Sequence, residues 1–256
     1  MQLSQKAEIK DAIDVLLYHI RNRIELDQLT FRRYLNNFNK VSSEPLKLML
    51  LGLSYGAIND YKNAVPFLKE AATYKDEMMA INYLFVLGNT SDFRFYTEEC
   101  KRLAREYNSF KLCVLAAHIS FATGNIQDFN FFIKKAISLT PDKDVARELE
   151  MSSNNHIKKM ERFYLITDLS NADIEELLQC TIDIANRHNI PYLGVEFYVD
   201  RDDCEAAIII EVLTMNEDLI SEMDIEIACT ISMNEKYSDK KLTSWYRGKK
   251  DKVYAI

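Results

Sequence analysis

Four aspartates, Asp168, Asp200, Asp202 and Asp203, come nearest to a chemical site in this chain of 256 residues. Carboxylates gathered at one sheet edge can hold Mg²⁺, because hard cations take oxygen ligands and can then polarise a phosphoryl group. A metal-dependent nucleotide or nucleic-acid enzyme built on Asp168, Asp202 and Asp203 is therefore one reading. The competing reading is a solvated turn, since Asp is a favoured turn residue and the surrounding segment is acidic throughout. Arg201 is the only cation beside the cluster, and the whole chain has six glycines. No GxSxG, Walker-A or GxGxxG pattern occurs, which all but excludes a loop that cradles phosphate.

The histidines, His19, His118, His156 and His188, make no HExxH or HxH pattern. The cysteines, Cys100, Cys113, Cys180, Cys204 and Cys229, are odd in number and show no CxxC spacing. That suits reduced thiols better than a disulfide framework or a zinc site. No metal or other cofactor is expected. The opening MQLSQKAEIKDAID is charged throughout, and no apolar run reaches the roughly 18 residues that span a bilayer. A soluble, cytoplasmic protein with no membrane partner is the expectation.

Charge is unevenly distributed. Residues 1–160 carry 22 Lys/Arg against 19 Asp/Glu, residues 161–235 carry 3 against 18, and residues 236–256 carry 7 against 2. This asymmetry predicts a boundary near residue 160, an acidic second part and a basic tail. The tail holds Trp245 and Tyr246 among its cations and could touch nucleic acid through phosphates and stacking. Folding back on the acidic part is at least as good a fate, because the neighbouring carboxylates would repel phosphate.

From Ser4 to about Pro141, apolar residues recur at three- and four-residue spacing, which predicts helices in series. Leu51-Gly52 with Tyr55 precedes a polar break at Asn59-Asp60-Tyr61, and Ala64, Phe67-Leu68 and Ala71 follow. The grammar returns at 110–143, with Gly124-Asn125-Ile126 at the turn and Ala136-Ile137-x-Leu139-x-Pro141 at the end. The two turns lie 65 residues apart, close to two periods of about 34. A weaker unit fits between them, Met78–Gly88 with Asp92–Tyr107. The pattern resembles the tetratricopeptide repeat (TPR), in which small residues sit where paired helices touch and aromatics fill gaps between hairpins. Pro66 departs from that pattern, and Phe129 stands where a small residue is wanted.

Beyond Pro141, residues 142–159 read as a charged helix. Arg162–Thr167 reads as a strand, and a helix follows from Ser170 with Ile174, Leu177, Leu178, Ile182 and Ala185 on one face. Tyr192–Val199 and Glu205–Leu213 read as strands around an acidic loop. Thr214-x-x-Glu217 is a capping-box signal for a helix to about Met223, and residues 225–233 alternate as a strand would, although one longer helix also fits. The strand alternative gives β-α-β-β-α-β, a ferredoxin-like order that would bring Asp168 to the edge holding Asp200, Asp202 and Asp203. It resembles, distantly, palm-type polymerase and cyclase domains. The expected fold is thus α+β, with a TPR-like superhelix over 1–145, a helical linker over 146–160, an acidic ferredoxin-like domain over 161–235 and a basic tail over 236–256.

The TPR resemblance implies a concave groove lined by first helices. The matching positions are Leu46, Met49 and Leu53, then Lys111, Val114, His118 and Phe121. The Lys and Asn of the co-chaperone carboxylate clamp are missing there, so an apolar helix or segment is the expected ligand. The leading expectation is a non-enzymatic adaptor or regulator that binds another protein, with the acidic domain as a second surface. An immunity- or antitoxin-type protein that neutralises a basic toxin or nucleic-acid-binding partner is the alternative of a different class.

Overall fold

The structure, a computed structural model, describes residues 2–90, 92–200 and 205–250, with side chains from Ala7 onward. The chain is α+β and divides into two compact units, Met1–Asp92 and Phe93–Ile256. Among the described residues, no helix is long and apolar enough to cross a membrane.

The first unit is five helices: α1 (Gln2–Asn22), α2 (Gln28–Phe38), α3 (Glu44–Ala57), α4 (Tyr61–Ala72) and α5 (Glu77–Leu87). Asp27, Asp60 and Asp76 start α2, α4 and α5 by accepting backbone N–H groups that have no partner within the helix. Asn59 closes the α3–α4 turn in the left-handed region (φ 59°), which Asn tolerates better than most residues. α3 packs against α1, α2, α4 and α5, so its sequence is apolar around most of its circumference. Gly52 lets α4 approach closely: a Cβ there would lie 2.5 Å from Leu68 Cγ and 3.1 Å from the Ala64 carbonyl. Tyr55 stacks on Phe67 and meets Phe31 edge-on, joining α2, α3 and α4.

The second unit opens with α6 (Phe93–Glu106), α7 (Phe110–Ala122), α8 (Ile126–Leu139), α9 (Lys143–Thr167) and α10 (Asn171–Arg187). Strands β1 (Tyr192–Val199) and β2 (Ala206–Val212) come next, then α11 (Glu217–Met233), the short α12 (Glu235–Ser238) and β3 (Leu242–Gly248). The sheet order is β1-β2-β3. β1 runs antiparallel to β2 with Val195 opposite Ile210, and β3 runs parallel to β2 with Tyr246 opposite Ile210. A parallel neighbour requires a crossover, and α11 with α12 supplies it. On β3, the Tyr246 N–H donates to Asp224 of α11 at 2.6 Å.

Lys135 of α8 donates through Nζ to three carbonyls at the end of α6, those of Ala104 (2.7 Å), Arg105 and Tyr107 (3.2 Å each). These acceptors carry the negative end of the helix dipole, so a single cation satisfies them electrostatically as well. Lys135→Met is expected to cost about 2 kcal/mol. A urea midpoint unchanged from wild type would show that solvent serves those carbonyls equally well.

Four sequence expectations are corrected here. Residues 162–167 are the last turns of α9 rather than a strand. Met160, Phe163 and Thr167 are buried while Leu165 is 83% exposed, so the segment follows helical spacing and not alternation. Residues 225–233 belong to α11, whose buried Met223, Ile227 and Ile231 recur every fourth residue. The cap of α11 is Asn216, which accepts from Leu219 N–H, and not Thr214. The tail contributes β3 to the sheet, so the expected domain limits at 160 and 235 fall inside α9 and at the start of α12. A ferredoxin-like β-α-β-β-α-β order therefore does not form.

The basic tail folds onto the acidic segment. Lys236 pairs with Glu176 (2.6 Å), Lys240 with Asp168 (3.0 Å), Arg247 with Glu196 (2.8 Å) and Lys249 with Glu211 (2.9 Å). Such exposed pairs each contribute little. The buried Tyr237 and Tyr246 hydroxyls, donating to the Asp173 and Thr181 carbonyls, hold the tail more firmly.

Candidate functional site

The sequence-derived groove residues separate in the structure. In the first unit Met49 and Leu53 are fully buried and Leu46 is half-buried. Met49 and Leu53 line no open groove, because α3 is enclosed by the other helices of its own unit. This corrects the expectation for both residues, and Met49 Sδ instead lies 3.2 Å from Asn82 Nδ2.

The second unit retains a recess. Lys111, Val114, His118 and Phe121 follow one another along α7, and the last two line a cavity of about 230 Å³ between α7, α8, α9 and β1. Phe129 and Ile133 of α8, Leu149, Ser152, Ser153 and His156 of α9, and Leu193–Val195 of β1 complete its wall. Lys111 stays in solvent and Val114 is half-buried beside the recess, outside its lining.

Aromatic rings set the shape. Phe121 meets Phe129 at 5.5 Å, Phe197 at 5.5 Å and the His156 imidazole at 4.7 Å, the last two edge-on. Phe129 also faces His156, at 6.1 Å. Phe129, where a small residue was expected, thus sets its ring against Phe121 of α7 and His156 of α9. Tyr192 fixes the β1 wall: its buried hydroxyl donates to the Ala122 carbonyl at the end of α7, at 2.8 Å. After it, β1 carries an irregularity at Tyr192/Gly194, and a Cβ on Gly194 would meet no atom within 4 Å.

The polar groups of the recess are two histidines and two serines. One nitrogen of the His156 ring, Nδ1, lies 2.8 Å from the Ser152 carbonyl, one turn earlier on α9. His118 keeps part of its surface in solvent at the rim of the recess, yet the protein around its ring, together with the His156 imidazole, holds it below the ordinary histidine value. The unfolded chain thus takes up this proton at a higher pH than the folded one. Stability is then full above about pH 6.5 and falls as the pH drops through the window between the two values. His118→Gln is expected to flatten this slope. Urea midpoints at neutral and mildly acidic pH check it, and an identical slope in the variant would sink the assignment.

Ser152 and His156 also border a second, shallower concavity of about 450 Å³ along α9, together with Asn155, Lys158, Lys159 and Arg162. Among the described residues, these three cations form no ion pair or side-chain hydrogen bond. Sequence reasoning passed over Phe129, His156 and Gly194 as a group, since they lie on three elements. The spacing Ser152–His156, one helical turn, was the only local signal.

Asp168 ends α9 in the left-handed conformation (φ 52°) and its carboxylate pairs with Lys240. Asp202 and Asp203 lie outside the described residues. Among the described residues, no group of three His, Cys, Asp or Glu side chains could hold a metal ion. No protein-family model, curated protein or solved structure matches the chain.

Proposed function

We propose that this protein is a non-enzymatic, cytosolic adaptor or regulator that binds another protein, on a TPR-like scaffold of helical hairpins. The binding site is the aromatic recess of the second unit. One observation carries the reading: an apolar, ring-lined cavity opens beside three cations that have no partner among the described residues. An apolar recess with a few polar groups at its margin is the usual form of a pocket that accepts a side chain. The neutralising, antitoxin-like reading is less well supported, because Asp168, Glu176, Glu196 and Glu211 are already paired with the chain's own tail.

Val195→Phe is the test variant. Val195 lines the recess, half-buried, on the face of β1 that carries Phe197, so a larger ring there fills the space, and an aromatic residue suits a strand. Affinity capture from native lysate, read by mass spectrometry, should recover a protein with the wild type and lose it with Val195→Phe. Failure of the wild type to retain any protein saturably would end the proposal.

A further inference from the structure

We infer that the recess and the adjoining flank of α9 together receive an acidic segment of a partner protein, anchored by one large apolar side chain. This rests on the protein-binding reading above and names the chemistry of the partner. Ser152 and His156 border both concavities, so the recess and the basic flank are continuous. Asn155, Lys158, Lys159 and Arg162 recur at three- and four-residue spacing, which places them along one side of the helix.

Charge selects the occupant. Lys158 and Arg162 stand four residues apart and Lys159 and Arg162 three apart, where like charges repel along a helix. Four of the tail cations, Lys236, Lys240, Arg247 and Lys249, have carboxylate partners, whereas Lys158, Lys159 and Arg162 on α9 have none among the described residues. A carboxylate-bearing segment relieves that repulsion. A second copy of this chain laid along α9 would instead set cation against cation. Phe121, Phe129 and Ile133 give the adjoining recess an apolar wall, so the segment needs a large aliphatic or aromatic side chain as well as acids.

The experiment is fluorescence anisotropy on the full chain with short labelled peptides. One carries a single Trp flanked by Glu, a second replaces Trp by Ala, and a third replaces Glu by Lys. The Trp/Glu peptide should bind, and each replacement should weaken it by at least about tenfold. Val195→Phe should mimic the loss of Trp. The exposed double variant Lys158→Glu, Arg162→Glu should mimic the loss of Glu and flatten the dependence on salt. Equal binding of the Lys peptide, or indifference to both variants, overturns the inference. So does saturable binding of dodecanoate at the same residues with no peptide bound, which assigns the site to a small amphiphile. If no peptide binds while the wild type, unlike Val195→Phe, still captures a lysate protein, the acidic-segment inference falls and the adaptor reading stands. If capture fails as well, both fall.

Discussion

Phe163→Ala is expected to lower the stability of the second unit by about 3–5 kcal/mol, as full truncation of a buried ring does. Phe163 is wholly buried on α9 and meets the ring of Phe197 on β1 edge-on at 5.2 Å. Phe197 in turn meets Phe121 on α7, so the three rings tie together the elements that form the recess. The loss combines transfer of the ring from water, a cavity that α9 and β1 cannot close, and one edge-to-face pair. Trp245 is the only tryptophan and lies half-buried on β3 of the same unit, so its fluorescence reports the transition. Peptide binding in the recess should weaken as well, since the Phe121 ring loses the support behind Phe197. A midpoint within about 0.5 kcal/mol of wild type would mean that residues 160–167 do not pack as a helix against the sheet.

Gly52→Val is expected to cost the first unit about 2–3 kcal/mol, and Gly52→Ala about half of that. Two effects oppose each other. Replacing a helical glycine gains roughly 1 kcal/mol of backbone propensity with Ala and less with a β-branched residue. Against that, the new Cβ would stand 2.5 Å from Leu68 Cγ and 3.1 Å from the Ala64 carbonyl, far inside contact distance. Leu68 is fully buried and a backbone carbonyl cannot rotate aside, so α4 must move away from α3. Overpacking wins, and the two further methyl groups of Val enlarge it. Hydrogen exchange should speed up in α3 and α4 together, because the damage lies at their contact. Unchanged exchange in both helices would refute the close approach.

These cases show which parts of the fold were legible in the chain. Gly52, Ala64 and Ala71 announced a tight helix pair because only small residues permit one, and that is a local property of residue size. Ser170 and Asp173 form the capping box that opens α10, and Asn125 caps α8, again through side chains acting within one turn. The hairpin strands at 192–199 and 206–212 were legible from β-branched and aromatic runs on either side of an acidic loop.

Other features were decided by packing. Arg162–Thr167 has the composition of a strand, yet it continues α9 because Phe163 and Thr167 find burial at helical spacing while Leu165 remains in solvent. Residues 225–233 satisfied both periods, and the burial of Ile227 and Ile231 on one helical face chose between them. The basic tail carries no strong strand signal of its own. It becomes β3 because β2 offers an open edge and the Tyr237 and Tyr246 hydroxyls find carbonyl partners on α10 and its first turn.

The site divides in the same way. His118 and Phe121 could be placed from sequence, since both lie on one face of α7. Met49 and Leu53 satisfied the same rule and are buried, because the helix spacing that marks a concave face also marks a core face. Phe129, His156 and Gly194 could be joined to His118 and Phe121 only in three dimensions, across α8, α9 and β1. The sequence by itself determined the helices of the first unit, α6 to α8 and α10 with its Ser170 cap, the tight α3–α4 contact and the excess of carboxylates over residues 161–235. Tertiary structure decided which apolar face stayed open and which cations stayed unpaired, because both depend on neighbours supplied from distant parts of the chain.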